Sequence, residues 1–368
     1  MAAQVVLVPV DTIKNFIKDV LMGIGVPADD AEICQSVLIA SDLKGIDSHG
    51  VGRLKMYYDR IKDGIQQPTT NFEIVKETET TAVIDGHHGM GHVVGVHSMQ
   101  MAIDMAGKFG LGAVAVRNST HYGIAGYYPE MAIENNMIGL TFTNARPSVA
   151  PTYGVEPMLG TNPLTFGCPT DEDCSFVIDC ATSISQRGKI ELYDRAEKDT
   201  PEGVAIDDKG NPHTDTKKLL KDLVSGGAAL LPMGGATEEL GSHKGYGWSV
   251  MAEILCAALQ DGSYMKGLLG FDDEGNRAPY KLGHFFLAIN IENFLPVELF
   301  KKIAGNICRE LRASKRVEGE PRIYTAGEKE FESEKVRMKD GIPINKNLQK
   351  NLIAMRDELG LLKYKFPF

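Results

Sequence analysis

His49, Arg53 and Tyr57 recur at i, i+4 and i+8 within Asp47-Ser48-His49-Gly50-Val51-Gly52-Arg53-Leu54-Lys55-Met56-Tyr57-Tyr58. On a helix that spacing aligns an imidazole, a fixed positive charge and a phenol along one face. The set suits an anionic substrate, because a guanidinium clamps a carboxylate bidentately and an imidazole handles a proton near neutral pH. An ordinary amphipathic helix with a solvated polar side presents the same face. Three further groups could join it. His121 lies in Asn118-Ser119-Thr120-His121-Tyr122-Gly123, after the apolar run Ala113–Val116, and loops at strand ends commonly carry catalytic residues. Asp179 ends the strand-like run Phe176–Asp179, where it could orient a histidine or bind a ribose hydroxyl. Lys244 opens a helix between His243 and Gly245, where free N–H groups favour phosphate. Each also has a plain reading: a turn histidine, a capping residue, a solvent lysine.

The elements that must position these groups are legible from periodicity. Gly45 closes a helical run, and Asp47 or Ser48 can cap the next helix, predicted over Ser48–Lys62. Val51, Leu54, Tyr58 and Ile61 fall on its opposite, core-facing side. Ile13, Phe16, Ile17, Val20 and Leu21 define a first helix, and Pro27 starts a second that reaches Gly45. From Pro68 onward short strands appear: 72–75, 81–85, 113–116, 138–142, 176–179 and 285–289, with helices over 95–109, 124–135 and 245–259. Residues 143–170 are rich in Pro and Gly, and the polar stretch 183–222 reads as loops with weak helix. Two amphipathic helices, over 296–314 and 346–359, lie toward the end of the chain. This gives an α+β chain. Residues 1–75 with 296–368 form a helical substrate and dimerisation region, and residues 76–295 form a sheet-containing cofactor region.

Composition limits the partners. A formal net charge of −10, with 24% charged and 43% hydrophobic residues, fits a globular enzyme and argues against nucleic acid or an anionic membrane. There is no basic n-region at the N-terminus and no apolar run of about 20 residues. The six cysteines include no CxxC pair, so reduced thiols in a cytosol are expected. Gly89-Met90-Gly91-His92-Val93-Val94-Gly95 misses the GxGxxG spacing by one residue, and no acidic strand end follows at the usual separation. A doubly wound dinucleotide fold is therefore rejected. His87, His88, His92 and His97 offer no tight ligand pair with a third ligand nearby, so no metal is expected. A metal hydrolase using His49, His87, His88 and His121 is the rival reading.

Taken together, the segments 47–51 with Arg53 and Tyr57, 118–123, Gly160-Thr161-Asn162-Pro163, 179–183, 243–247 and Gly327-Glu328 resemble the non-Rossmann malate/L-lactate dehydrogenase family. Its relatives include ureidoglycolate and sulfolactate dehydrogenases and piperideine-2-carboxylate reductases. The resemblance covers nearly the whole chain. It implies a largely antiparallel cofactor sheet, a homodimer, a nicotinamide cofactor (NAD, with NADP possible) and a small 2-hydroxy or 2-oxo acid, malate or lactate first. It implies His121 and His49 as catalytic residues, with Ser48, Arg53 and Tyr57 on the substrate side. It implies Asp179, Cys180, Ala181, Thr182, Lys244, Gly327 and Glu328 as cofactor contacts. Ala326 stands where the family usually has proline, and Val204 where it commonly has tryptophan. A malate reading needs a second cation for the distal carboxylate, for which the sequence offers Arg146 or Arg187.

Overall fold

The computed structural model describes residues 5–368. The chain opens with β1 (Val6–Val8), α1 (Val10–Gly23) and α2 (Ala28–Leu43), then makes a 3-10 turn over Val51–Arg53 that runs into α3 (Leu54–Lys62). Next come β2 (Glu73–Glu77), β3 (Thr81–Asp85), α4 (Gly91–Phe109), β4 (Leu111–Ser119), α5 (Tyr127–Glu134) and β5 (Met137–Thr143). The hairpin β6 (Leu164–Cys168) and β7 (Phe176–Cys180) leads to α6 (Arg187–Arg195), β8 (Ala205–Asp207), α7 (Thr216–Ser225) and β9 (Ala228–Leu230). The chain then runs through α8 (Ser242–Ala257), β10 (Leu282–Asn290), α9 (Val297–Ala313), α10 (Glu328–Asp340), β11 (Ile342–Ile344) and α11 (Lys346–Glu358).

Seven strands form the central sheet in the order β2-β3-β4-β10-β5-β6-β7. Every pairing is antiparallel except β3 with β4, so the expectation of a largely antiparallel sheet holds. α4 and α5 pack on it closely because glycines face them. A Cβ at Gly112 would lie 2.1 Å from the Ala102 carbonyl oxygen, and one at Gly139 would lie 2.7 Å from Pro129 Cα. A second core joins α1–α3 to β11 and the C-terminal segment. Ile13, Phe16, Ile17, Val20 and Leu21, spaced as the periodicity requires, are fully buried against Ile344, Leu352 and Met355.

Register sets the position of the site. Leu282 of β10 pairs with Ser119 of β4, and His284 lies opposite Thr143 of β5. Phe142 pairs with Leu164, and Leu164 with Cys180. The ends of β4, β5 and β7 and the starts of β6 and β10 therefore lie along one sheet edge. His284, fully buried, pins this edge through Ser119 Oγ and Thr143 Oγ1, each 2.8 Å away.

Three local expectations change. The helix expected from Ser48 starts at Leu54, with His49 in the turn before it. The first N–H of that turn is taken by buried Asp42, whose Oδ2 accepts from Val51 N at 2.8 Å, rather than by Asp47 or Ser48. Asp47 pairs with Arg337 of α10. Strand β6, for which no strand was expected, lies inside the Pro- and Gly-rich stretch 143–170, which hides a five-residue run. The polar stretch 183–222, read as loops with weak helix, is firmer than that: it holds α6 and α7, the latter capped by Asp215 through Lys218 N at 3.0 Å.

Candidate active site

His121 sits two residues beyond β4, in the wall of a cavity of about 550 Å³. His49, Thr143, Cys180, Ala181 and Leu282 share that wall, as the sheet register requires. The loop is locked from behind. Gly91 N donates to Thr120 Oγ1 at 3.0 Å, and Thr120 Oγ1 donates to the Gly89 carbonyl at 2.8 Å. The Gly-rich turn that fails as a dinucleotide fingerprint is thus the support under the histidine.

His121 Nδ1 lies 2.6 Å from Tyr57 Oη and 3.3 Å from Gly123 N. Its ring stacks on His49, with centroids 5.5 Å apart and planes at 24°. His49 Nδ1 is in turn 2.8 Å from Ser48 Oγ. Tyr57 is fully buried rather than on a wet face, and the edge of His92 packs on it at 4.8 Å. Burial depresses the proton affinity of both site histidines, His49 to about 4 and His121 well below the usual imidazole value. The positive charges of Arg53 and Arg60 push His121 further down. Both rings are therefore neutral at pH 7, the state a proton acceptor needs.

The other expected residues fall into three groups. Asp179 lies in the walls of both this cavity and an adjoining one of about 570 Å³. Its Oδ2 accepts from Gly126 N at 2.7 Å, and burial raises its carboxyl to about 6. The two cavities also share Ile46 and Ile124, and Gly327 lies in the wall of the second. Gly327 has φ +93°, and a Cβ there would sit 3.2 Å from Val177 N, so the turn requires glycine.

A second group supports the walls. Thr182 Oγ1 donates to the Thr161 and Asn162 carbonyls at 3.0 and 3.2 Å. Glu328 accepts from Thr325 N at 2.9 Å and pairs with Arg312 and Arg322, so its carboxylate fixes the 325–327 turn. Ser48 and Arg53 stand beside the histidines, outside the cavity wall, and Arg53 Nε is spent on the Ser48 carbonyl. Lys244 forms the third group: it is exposed in the first turn of α8 and lies in neither cavity wall.

Sequence reasoning missed Lys189 of α6, which lies in the His121 cavity wall while the expected Arg187 pairs with Glu191. It also missed Asp42, which sets the turn carrying His49. A Cβ at Gly50 would lie 1.9 Å from Asp42 Oδ1, so only glycine fits over that carboxyl. Asp42 had no local signal, because it acts nine residues away. The histidines of the metal rival diverge. His87 pairs with Glu73 and His88 Nδ1 lies 3.0 Å from the Tyr280 carbonyl. Among the described residues no three His, Cys, Asp or Glu side chains converge as a metal requires.

The malate/L-lactate dehydrogenase family model matches residues 8–353. The chain belongs to this family. Among its relatives, a malate dehydrogenase of Pyrococcus horikoshii is 43% identical over 96% of both chains. An L-sulfolactate dehydrogenase of Methanocaldococcus jannaschii is 40% identical over 95% of this chain and 96% of that one. The crystal structure of malate dehydrogenase from Entamoeba histolytica superposes with a TM-score of 0.95 at 43% identity, covering 99% of this chain and 100% of that one. Family membership makes the chain an oxidoreductase and replaces the hydrolase rival. No helix among the described residues is long and apolar enough to cross a membrane.

The buried histidines give the fold a specific acid sensitivity. His49, His92 and His284 are depressed to about 4, 3 and 3, and His121 is depressed as well. Below pH about 6.5 the unfolded chain takes up protons that the native chain refuses, so stability falls with pH. Asp42 and Asp179 act oppositely, since burial raises them to about 8 and about 6 and the native chain keeps their protons. Glu130 and buried Glu253, raised as well, act with the aspartates, yet the four histidines leave the unfolded chain ahead in bound protons near pH 5. Stability should therefore fall there by roughly 1–3 kcal/mol per pH unit. Denaturant midpoints measured between pH 7 and 5 check this; a flat profile would contradict it.

Proposed function

We propose that this protein is a nicotinamide-dependent malate dehydrogenase, with His121 as the residue that takes the hydroxyl proton. The observation that carries the reading is the buried, neutral His121 in the wall of a cavity that adjoins a second cavity through Asp179. Together the two spaces suit an extended dinucleotide with a small acid beside one end. Asp179, Cys180, Ala181 and the 325–327 turn are the residues that would hold the cofactor. When bound, the nicotinamide supplies the acceptor for the hydride leaving C2 of the hydroxy acid.

The chain's own residues do the rest. His121 accepts the hydroxyl proton during oxidation and returns it to the oxo oxygen in reduction. With the ring proton on Nδ1, facing Tyr57 Oη 2.6 Å away, Nε2 is left free to take the substrate proton. An incoming carboxylate favours the protonated imidazole, which offsets the burial that keeps the free ring neutral. Arg53, which forms no ion pair among the described residues, provides the fixed cation that attracts and aims that carboxylate. Arg53→Lys keeps the charge but loses the planar fork and the Nε bond to Ser48. We expect kcat/KM for malate to fall roughly tenfold or more; an unchanged value removes Arg53 from the substrate side.

NAD is favoured over NADP. The second cavity's wall carries Glu130, Glu134, Asp173, Glu330 and Glu334 against Lys44 and Lys329, with no arginine among the described residues. A 2′-phosphate placed there would meet excess negative charge and no guanidinium. The family resemblance further supports a homodimer, which light scattering would test. An activity panel crossing malate, lactate, sulfolactate and ureidoglycolate with both cofactors tests the whole reading. Malate with NAD should give the highest kcat/KM, and inactivity on every pair would end it.

A further inference from the structure

We infer that Lys189 binds the second anionic group of the substrate and so selects a doubly charged hydroxy acid over lactate. The inference rests on the malate dehydrogenase reading and adds to it the residue that reads the far end of the substrate.

Among the described residues, the His121 cavity wall contains one side chain with a fixed positive charge, that of Lys189. The wall's carboxyl group, Asp179, is buried and already accepts from Gly126 N. Lys189 is exposed and forms no ion pair among the described residues; its Nζ lies 5.6 Å from the centre of the Tyr193 ring. Its neighbours on the helix are accounted for, because Arg187 pairs with Glu191. The start of α6 is seated on the histidine turn: a Cβ at Gly188 would lie 3.4 Å from Ser48 Cβ, and Ser48 Oγ contacts His49. Ser185, in the same wall, has a buried hydroxyl oxygen with no hydrogen-bond partner among the described residues. An unspent ammonium and an unspent hydroxyl thus line the space beside the two histidines.

The chemistry follows from charge count. A 2-hydroxy monoacid needs one cation, and a malate-like acid needs two. Arg53 is on the His49 side, and Lys189 approaches from α6. An ammonium on a flexible stem reads charge rather than planar geometry, so it accepts a carboxylate or a sulfonate. Because α6 contributes the cation from outside the sheet, selectivity resides in an element separate from the proton-transfer loop.

The test compares the wild-type enzyme with Lys189→Met and Lys189→Arg. The substrates are malate, lactate and malamate, in which the distal carboxylate is a neutral amide. Lys189→Met should lower kcat/KM for malate roughly 10- to 100-fold, mainly through KM, and leave lactate and malamate within about threefold. Lys189→Arg should keep most of the malate activity. Equal losses on all three substrates, or a raised Kd for the cofactor measured by titration, would assign Lys189 to the cofactor or the fold and overturn the inference. Unchanged malate kinetics would overturn it as well. A wild-type enzyme inactive on every substrate would instead sink the parent reading.

Discussion

His121→Asn should lower malate turnover by ~10²–10⁴-fold while leaving the fold and cofactor affinity close to wild type. The substitution isolates proton transfer. The native ring is already neutral, held so by burial and by the neighbouring positive charges, so asparagine changes no net charge. An asparagine carbonyl can accept from Tyr57 Oη and Gly123 N, the two groups that Nδ1 contacts now. What it cannot do is take and return a proton near pH 7. Thermal midpoint, cofactor titration and steady-state turnover measured on one preparation separate these effects. Near-normal turnover would move the role to His49, whose ring is the nearest stacked alternative.

Gly91→Ala should damage both the fold and the site. A Cβ at Gly91 would lie 2.3 Å from the Thr120 carbonyl oxygen and 2.5 Å from that of His121. Both neighbours are backbone, so neither can rotate away, and the two turns are tied together by the Thr120 hydroxyl. Relief requires moving the start of α4 away from the loop that carries the histidine. We expect a stability loss of about 3 kcal/mol or more, at the upper end of overpacking costs. Turnover should also fall at temperatures where the protein is still folded. Gly247→Ala is the control. Gly247 is exposed in α8, a Cβ there meets nothing within 4 Å, and alanine favours a helix by about 1 kcal/mol. A Gly91→Ala protein as stable and active as this control would show that the support under His121 is dispensable.

These two substitutions also mark what could be read from the residues alone. His121 was legible because a polar turn after an apolar strand is a local signal. The helices at 10–23 and 297–313 were legible because their apolar residues recur at helical spacing, whether buried as in the first or exposed as in the second. Gly91 was noticed for its glycine spacing, but its role as a close-packing partner of residues 29 and 30 positions away is not local. The same holds for Asp42, whose carboxyl sets the turn at Val51 and breaks the helix expected to include His49. The i, i+4 spacing of His49 and Arg53 is therefore compatible with helix yet realised in a turn. Tyr57 was assigned to a polar face by its hydroxyl, while its ring dominates and buries it. The register that gathers Leu282, Thr143 and Cys180 at one edge depends on strand pairings that no local pattern encodes. Lys189 gave no signal at all, since one lysine in a polar stretch differs little from its neighbours.

The central claim is proton transfer at His121 during malate oxidation, and the most direct measurement is a single-turnover comparison. Wild type and His121→Asn, each saturated with NAD and malate, are followed by nicotinamide absorbance. The account predicts rapid formation of reduced nicotinamide by the wild type and a rate lower by ~10²-fold or more in the variant. Equal rates, or no malate-dependent signal from the wild type, would contradict it.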